Sequence, residues 1–262
     1  MIFTKRSPQR TIFLNILAEF IGSAIYSCLF FIFFSRYLSP DFKTGDGLLA
    51  LNIAISFLVA IYIPFHTYRI HILPFVSILA ALRKRQLRII IHKIPAQLIG
   101  AFVGVAIFLF INEKTTNINF ADFNTDKWSS WSSALLNGMV AGIICASFYI
   151  VRVFFKAKAI TGTIVLSAIV GVLFYFTFTI SDITALNPFG WFIYDLVNKT
   201  DFFSRDWMSE SLIHFIAPIA FAFGSYYLTR NMVKKKVKNI GKIDLNELGV
   251  RVDNKTVSNN KR

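Results

Sequence analysis

Three side chains stand where their chemistry demands an explanation. Glu19 is the one charged residue of the apolar run 11–34. A carboxylate inside such a run is expensive and is usually functional or paired. It can brace a neighbouring segment by accepting hydrogen bonds, or it can relay protons. Asn187 directly precedes Pro188. An asparagine there either offers a donor to a bound solute or merely caps the start of a helix. His71 lies three residues before Pro74, and a histidine titrates near physiological pH. It reads either as a satisfied loop histidine or as a pH-sensitive gate. Nearby Arg69 either snorkels to the membrane surface or places positive charge near the inner face. No catalytic set accompanies these residues. There is no Ser/His/Asp arrangement, no phosphate loop and no metal motif. His66, His71, His92 and His214 lack ligand spacing, and Cys28 and Cys145 sit in apolar runs as small hydrophobes do. The expectation is a non-enzyme without cofactor or metal.

The elements that must position these groups are membrane spans. The 262 residues are 55% hydrophobic, with a mean hydropathy of +0.57. A soluble fold would need one very large core with almost no polar helix faces. Uncharged or nearly uncharged apolar runs cover residues 11–34, 48–65, 89–111, 132–154, 159–180 and 208–229. Each is about long enough to cross a hydrocarbon core of about 30 Å. Two shorter apolar stretches, 71–82 and 187–197, carry Pro74 and Pro188 near their starts and are too short to cross. They predict re-entrant half-helices, making the fold class all-α with six spans and two half-helices.

The net charge is +14. In a soluble chain this would suggest nucleic acid; in a membrane protein it marks cytoplasmic loops. With the N-terminus inside, the inner segments carry Lys5, Arg6 and Arg10; Arg83, Lys84, Arg85 and Arg88; Arg152, Lys156 and Lys158; and Arg230, Lys234, Lys235, Lys236 and Lys238. The outer segments mix scattered Lys and Arg with Asp41, Asp46, Glu113, Asp122, Asp126, Asp201 and Asp206. Both termini are therefore expected in the cytoplasm of a multi-pass plasma- or inner-membrane protein. The basic start runs into an apolar stretch too long for a signal-peptide core, so the first span is expected to be retained. Residues 1–10 form a short cytoplasmic start, 11–230 the membrane domain, and 231–262 a basic polar tail that cannot fold alone. That tail is either solvated or a contact for lipid or a partner.

The membrane domain repeats itself. Residues 11–111 and 132–229 each read long span, second span, short proline-started segment, third span. Three spans per half inverts the second half relative to the first, so the short segments enter from opposite faces. Inverted repeats with interrupted helices at mid-membrane are a transport architecture. Gly100 and Gly104, and Gly138 and Gly142, have the small-xxx-small spacing that lets helices approach closely in lipid.

Specific fragments then carry a resemblance. Ala18-Glu19-Phe20-Ile21-Gly22-Ser23 opens the first half; His71-Ile72-Leu73-Pro74-Phe75-Val76-Ser77 starts its short segment; Pro95-Ala96-Gln97-Leu98-Ile99-Gly100-Ala101 lies in its third span. Leu186-Asn187-Pro188-Phe189-Gly190 and His214-Phe215 with Ala217-Pro218 follow in the second half. In order and spacing these resemble the aquaporin and glycerol-facilitator family, over about residues 11–230. The resemblance implies a homotetramer in the lipid bilayer, each protomer passing water or a small neutral solute such as glycerol through its own pore. It implies that Glu19 braces the first re-entrant loop, with Asn137 at the equivalent place in the second half.

The departures bear on selectivity. Where the family has Asn-Pro-Ala twice, this chain has Leu73-Pro74-Phe75 and Asn187-Pro188-Phe189. One of two central donors is lost and two rings are added. The constriction positions implied by the resemblance are Ile53, Tyr175, Thr184 and Gly190, with Gly190 where the family carries Arg. Two readings stay open: a channel with atypical pore motifs, and a closed-pore protein of the same fold with a structural or interaction role.

Overall fold

Residues that are apolar on every side cannot leave backbone N–H and C=O groups unpaired in lipid, and the α-helix pairs them all within one segment. The computed structural model describes residues 8–38, 45–64, 71–115, 131–154, 159–181, 188–189, 192–193 and 216–229. Every element among them is helical: α1 (Pro8–Leu38), α2 (Asp46–Tyr62), α3 (Pro74–Lys84), α4 (Arg88–Thr115), α5 (Trp131–Phe154), α6 (Ala159–Ser181) and α7 (Ile216–Thr229). Four of them contain stretches long and apolar enough to cross a membrane: Ile12–Tyr37, Arg88–Asn112, Ala134–Val151 and Ile160–Ile180. α2 and α7 are shorter apolar helices; the expected sixth span begins at 208, and its residues 208–215 lie outside the described residues.

The helices expose apolar side chains and turn others inward. On α6, Ile164, Val172, Phe176 and Ile180 are exposed, while Val170, Phe174 and Phe178 are buried. α2 buries Ile53, Phe57, Ala60 and Ile61 and exposes Leu48, Leu51 and Ile55. An apolar exterior over an apolar interior is the surface a bilayer solvates. Polar side chains inside the helices are absorbed locally. Ser56 donates to the Asn52 carbonyl at 2.8 Å, Ser167 to Thr163 at 2.9 Å and Thr229 to Ser225 at 2.6 Å.

Small residues set the helix spacing. A Cβ on Gly100 would stand 2.3 Å from the Phe20 carbonyl oxygen, and one on Gly104 the same distance from that of Ala24. α1 and α4 therefore meet backbone to backbone, a separation only glycine permits. Gly171 brings α6 against Ala50 and Ala54 of α2, and Gly138 and Gly142 bring α5 against Ala217 and Phe221 of α7.

The space between α1, α2, α5 and α6 is filled by rings. Tyr26 meets Phe57 edge-on at 5.6 Å, Phe57 meets Phe148, Phe30 meets Phe174 and Phe34 meets Phe178. Edge-to-face pairs of this kind add to burial about 0.5–1.5 kcal/mol each. Near one end, the Tyr37 hydroxyl donates to Asp46 Oδ1 at 2.7 Å, joining the end of α1 to the start of α2.

α3 differs from the other helices in position. Its N-cap, Leu73, is fully buried, whereas Arg85, Gln86 and Leu87 at its far end are exposed. Pro74 occupies the first turn, where a missing N–H costs nothing and a fixed φ favours the helix. Arg85 ends it in the left-handed conformation, φ 51°, and Gln86 N–H closes on the Ala81 carbonyl at 3.0 Å, as in a Schellman cap. One short helix thus runs from the interior to the surface.

Candidate functional site

The interior end of α3 rests on a carboxylate. Glu19 of α1 has no exposed surface. Its Oε1 accepts from the His71 N–H at 2.8 Å and its Oε2 from the Ile72 N–H at 3.0 Å. Gln97 Nε2 of α4 donates to Oε2 at 2.8 Å, and the Lys93 ammonium donates to Oε1 as an ion pair. A carboxylate offers about four lone-pair sites, and four donors fill them. The arrangement suits a brace: no acceptor site is left over for a water chain to relay protons.

The brace holds a strained turn. Ile72 has φ 61°, a left-handed conformation that costs a β-branched residue of order 1–3 kcal/mol. Both of its backbone polar groups are held: the N–H by Glu19 and the carbonyl by the Ser23 hydroxyl at 3.4 Å. Without Glu19 the turn would lose the bond that fixes it. Around the carboxylate the polar groups continue. Gln97 Nε2 also donates to Ser77 Oγ at 2.8 Å, and Ser77 Oγ lies 3.0 Å from His71 Nδ1. His71 is thus buried and engaged on both its backbone and its ring, which fits a satisfied loop histidine better than an exposed gate.

Lys93 was not anticipated from sequence, yet it supplies the countercharge. The signal was present: it is the one cation within the apolar run 89–111, and it precedes Gln97 by four residues, the spacing that puts two side chains on one helix face. Its side chain is 11% exposed, so the ion pair lies at the edge of the core with only the cation touching solvent.

The other anticipated residues fall into three groups. Ile53, Leu73, Phe75 and Phe189 are buried in the same apolar cluster as Tyr26 and Phe57, and Pro188 is buried beside them in sequence. Asn137 is buried on α5. Tyr175, expected to line a constriction with Ile53, is 41% exposed on the face of α6 that also presents Val172 and Phe176. The helix period decides this: Phe174 and Phe178 take the inward positions, and Tyr175 is rotated away from them. Asn187, Thr184, Gly190 and Arg69 lie outside the described residues.

Among the described residues no group of three or more His, Cys, Asp or Glu is placed to hold a metal ion. Comparison with known proteins yields no family model and no curated protein that matches this chain.

Proposed function

We propose that the chain is a six-span membrane channel of the aquaporin plan, passing water or a small neutral solute such as glycerol by passive diffusion. The observation that carries this reading is α3. A helix that starts in the buried centre of an apolar bundle, at a turn pinned by a charged brace, and ends at the surface is a half-helix entering a membrane domain. Such helices aim their N-terminal dipole ends at a central pathway. In this reading α2 and α7 complete the six spans, and the segment around Pro188 forms the second half-helix. The Glu19 contacts agree with the role that the family resemblance implies for it.

A second reading is favoured by a separate observation. Leu73, Phe75, Ile53 and Phe57 are all buried in one continuous apolar cluster. A hydrophobic constriction can stop flow by dewetting without a moving gate, so the same fold could serve as a closed, structural protein. Stopped-flow light scattering on liposomes carrying the purified protein separates the two. The channel reading expects water or glycerol flux above that of empty liposomes, with water flux per protomer low. Fluxes equal to those of empty liposomes for both solutes would favour the closed protein.

A further inference from the structure

The corner where α3 ends and α4 begins gathers positive charge. Arg83, Lys84, Arg85 and Arg88 fall within one short stretch, and the sequence holds no Asp or Glu between Asp46 and Glu113 to neutralise them. The buried Glu19 carboxylate is already filled by its four donors. Arg85 and Arg88 are exposed, and neither makes an ion pair among the described residues.

Hydrogen bonds fix this corner on both sides. Gln86 N–H returns to the Ala81 carbonyl of α3 at 3.0 Å, and Ile89 N–H of α4 donates to the Gln86 carbonyl at 3.1 Å. Arg85 and Arg88 lie three residues apart, so their Cα atoms are separated by no more than about 11 Å. Two arginine side chains can close that distance on one phosphate, which their planar forks suit. Between them Leu87 is 72% exposed, an apolar side chain presented outward beside cations.

Below the corner, α4 carries an apolar stripe. Ile91, Ile99 and Phe102 are exposed, as is Pro95. On a helix of about 3.6 residues per turn all four fall within about 60° of Arg88. From Arg88 to Phe102 the stripe runs about 21 Å, enough to pass through one leaflet of a hydrocarbon core of about 30 Å. α4 is long and apolar enough to cross that core, and Arg88 stands at its end. A free phosphate would use the arginines and leave the stripe bare. An anionic phospholipid uses both.

We propose that the α3–α4 corner is a binding site for an anionic phospholipid, its phosphate held by Arg85 and Arg88 and an acyl chain lying along Ile91, Pro95, Ile99 and Phe102. Arg85 also ends α3, so the lipid holds the surface end of the helix whose interior end Glu19 holds. The site requires α4 to cross a bilayer and requires no pore.

The test is native mass spectrometry of the full chain in detergent, titrated with phosphatidylglycerol or with phosphatidylcholine of the same chains. The unmutated protein should prefer phosphatidylglycerol. Arg88→Gln should weaken that binding about fivefold, and Arg85→Asn with Arg88→Gln about thirtyfold, at about 1 kcal/mol per charge. Asparagine is chosen because it tolerates the left-handed backbone of Arg85. Binding of phosphatidylcholine should be unchanged in both variants, which also reports that they are folded. Short-chain phosphatidylglycerol should bind more weakly than the long-chain form, since it leaves the stripe uncovered. A variant with Lys234, Lys235 and Lys236 changed to Gln should keep the preference. No preference in the unmutated protein overturns the site. So does an equal loss in the tail variant, which would mean diffuse attraction, or equal binding of the short-chain lipid, which would mean a phosphate site alone. Liposome flux is read separately, so a protein that conducts neither solute yet keeps the preference supports the site while removing the channel reading.

Discussion

Glu19 and Lys93 show how one charge pair can be indispensable without being a net source of stability. Bringing both ions out of water costs nearly as much as their attraction returns, but removing one partner strands the other. Lys93→Met should therefore destabilise the protein by about 3–5 kcal/mol, read as a lower unfolding midpoint in detergent. Lys93→Met combined with Glu19→Gln should recover only the part of that loss due to the stranded charge, because the glutamine NH2 would face one of the donors that Glu19 accepts from. A double variant with no recovery at all over Lys93→Met would show that the stranded charge is not the main cost. At the centre, the substitutions that restore the family pattern, Leu73→Asn with Phe75→Ala and Phe189→Ala, should raise water permeability severalfold if rings and lost donors limit flow. Equal permeability would place the barrier elsewhere. Adding a cation at Gly190, the position the resemblance assigns to the outer constriction, by Gly190→Arg should leave permeability unchanged or lower it. The individual residues were unevenly legible. Glu19 announced itself because a carboxylate in an apolar run has few explanations. Lys93 was hidden by the same chemistry read with the other sign, as basic residues in membrane proteins are habitually assigned to loops. The inward choice of Phe174 over Tyr175 depends on a rotation of about 100° per residue, which apolar composition on all faces conceals.

The helices were the most readable level, because length and charge alone delimit a span. α4, α5 and α6 fall within a few residues of the runs 89–111, 132–154 and 159–180, and α3 within two or three residues of 71–82. α2 begins two residues earlier and ends three earlier than the run 48–65, since charge alone does not say where a helix unwinds into a turn. The glycine spacing also anticipated close packing, but not which helices would meet. That pairing depends on tertiary arrangement, and it can be tested. A Cβ at Gly100 or Gly104 would overlap a carbonyl oxygen of α1, which belongs to rigid helix backbone and cannot swing aside. Gly104→Val should separate α1 from α4, displace Lys93 and Gln97 from Glu19, and lower the unfolding midpoint. Gly45→Ala serves as the control, since nothing lies within 4 Å of its added Cβ. Similar losses for both would remove the packing explanation.

At the scale of the whole molecule, the distribution of Lys and Arg predicts that both termini face the cytoplasm. Tags at either end should be reachable only after the cell membrane is permeabilised, and labelling of a C-terminal tag in intact cells would refute the topology. A homotetramer rests on the resemblance alone. Native mass spectrometry in mild detergent should show four copies; monomer throughout would argue against it. The ion pair at the interior end of α3 also has a history in time. Glu19 and Lys93 are separated by 74 residues, and α1 leaves the ribosome first. At about 5–20 residues per second, roughly 4–15 seconds pass before the cation is made. For that interval α1 carries a carboxylate without its countercharge, a group that lipid rejects and the finished bundle requires. The turn before α3 can close on Glu19 and Ser23 of α1, but the carboxylate that holds it gains Lys93 and Gln97 only when α4 is made. The birth of this protein is therefore a sequence of deferred contacts: α1 is made with an unpaired carboxylate, and the countercharge arrives only with Lys93 of α4.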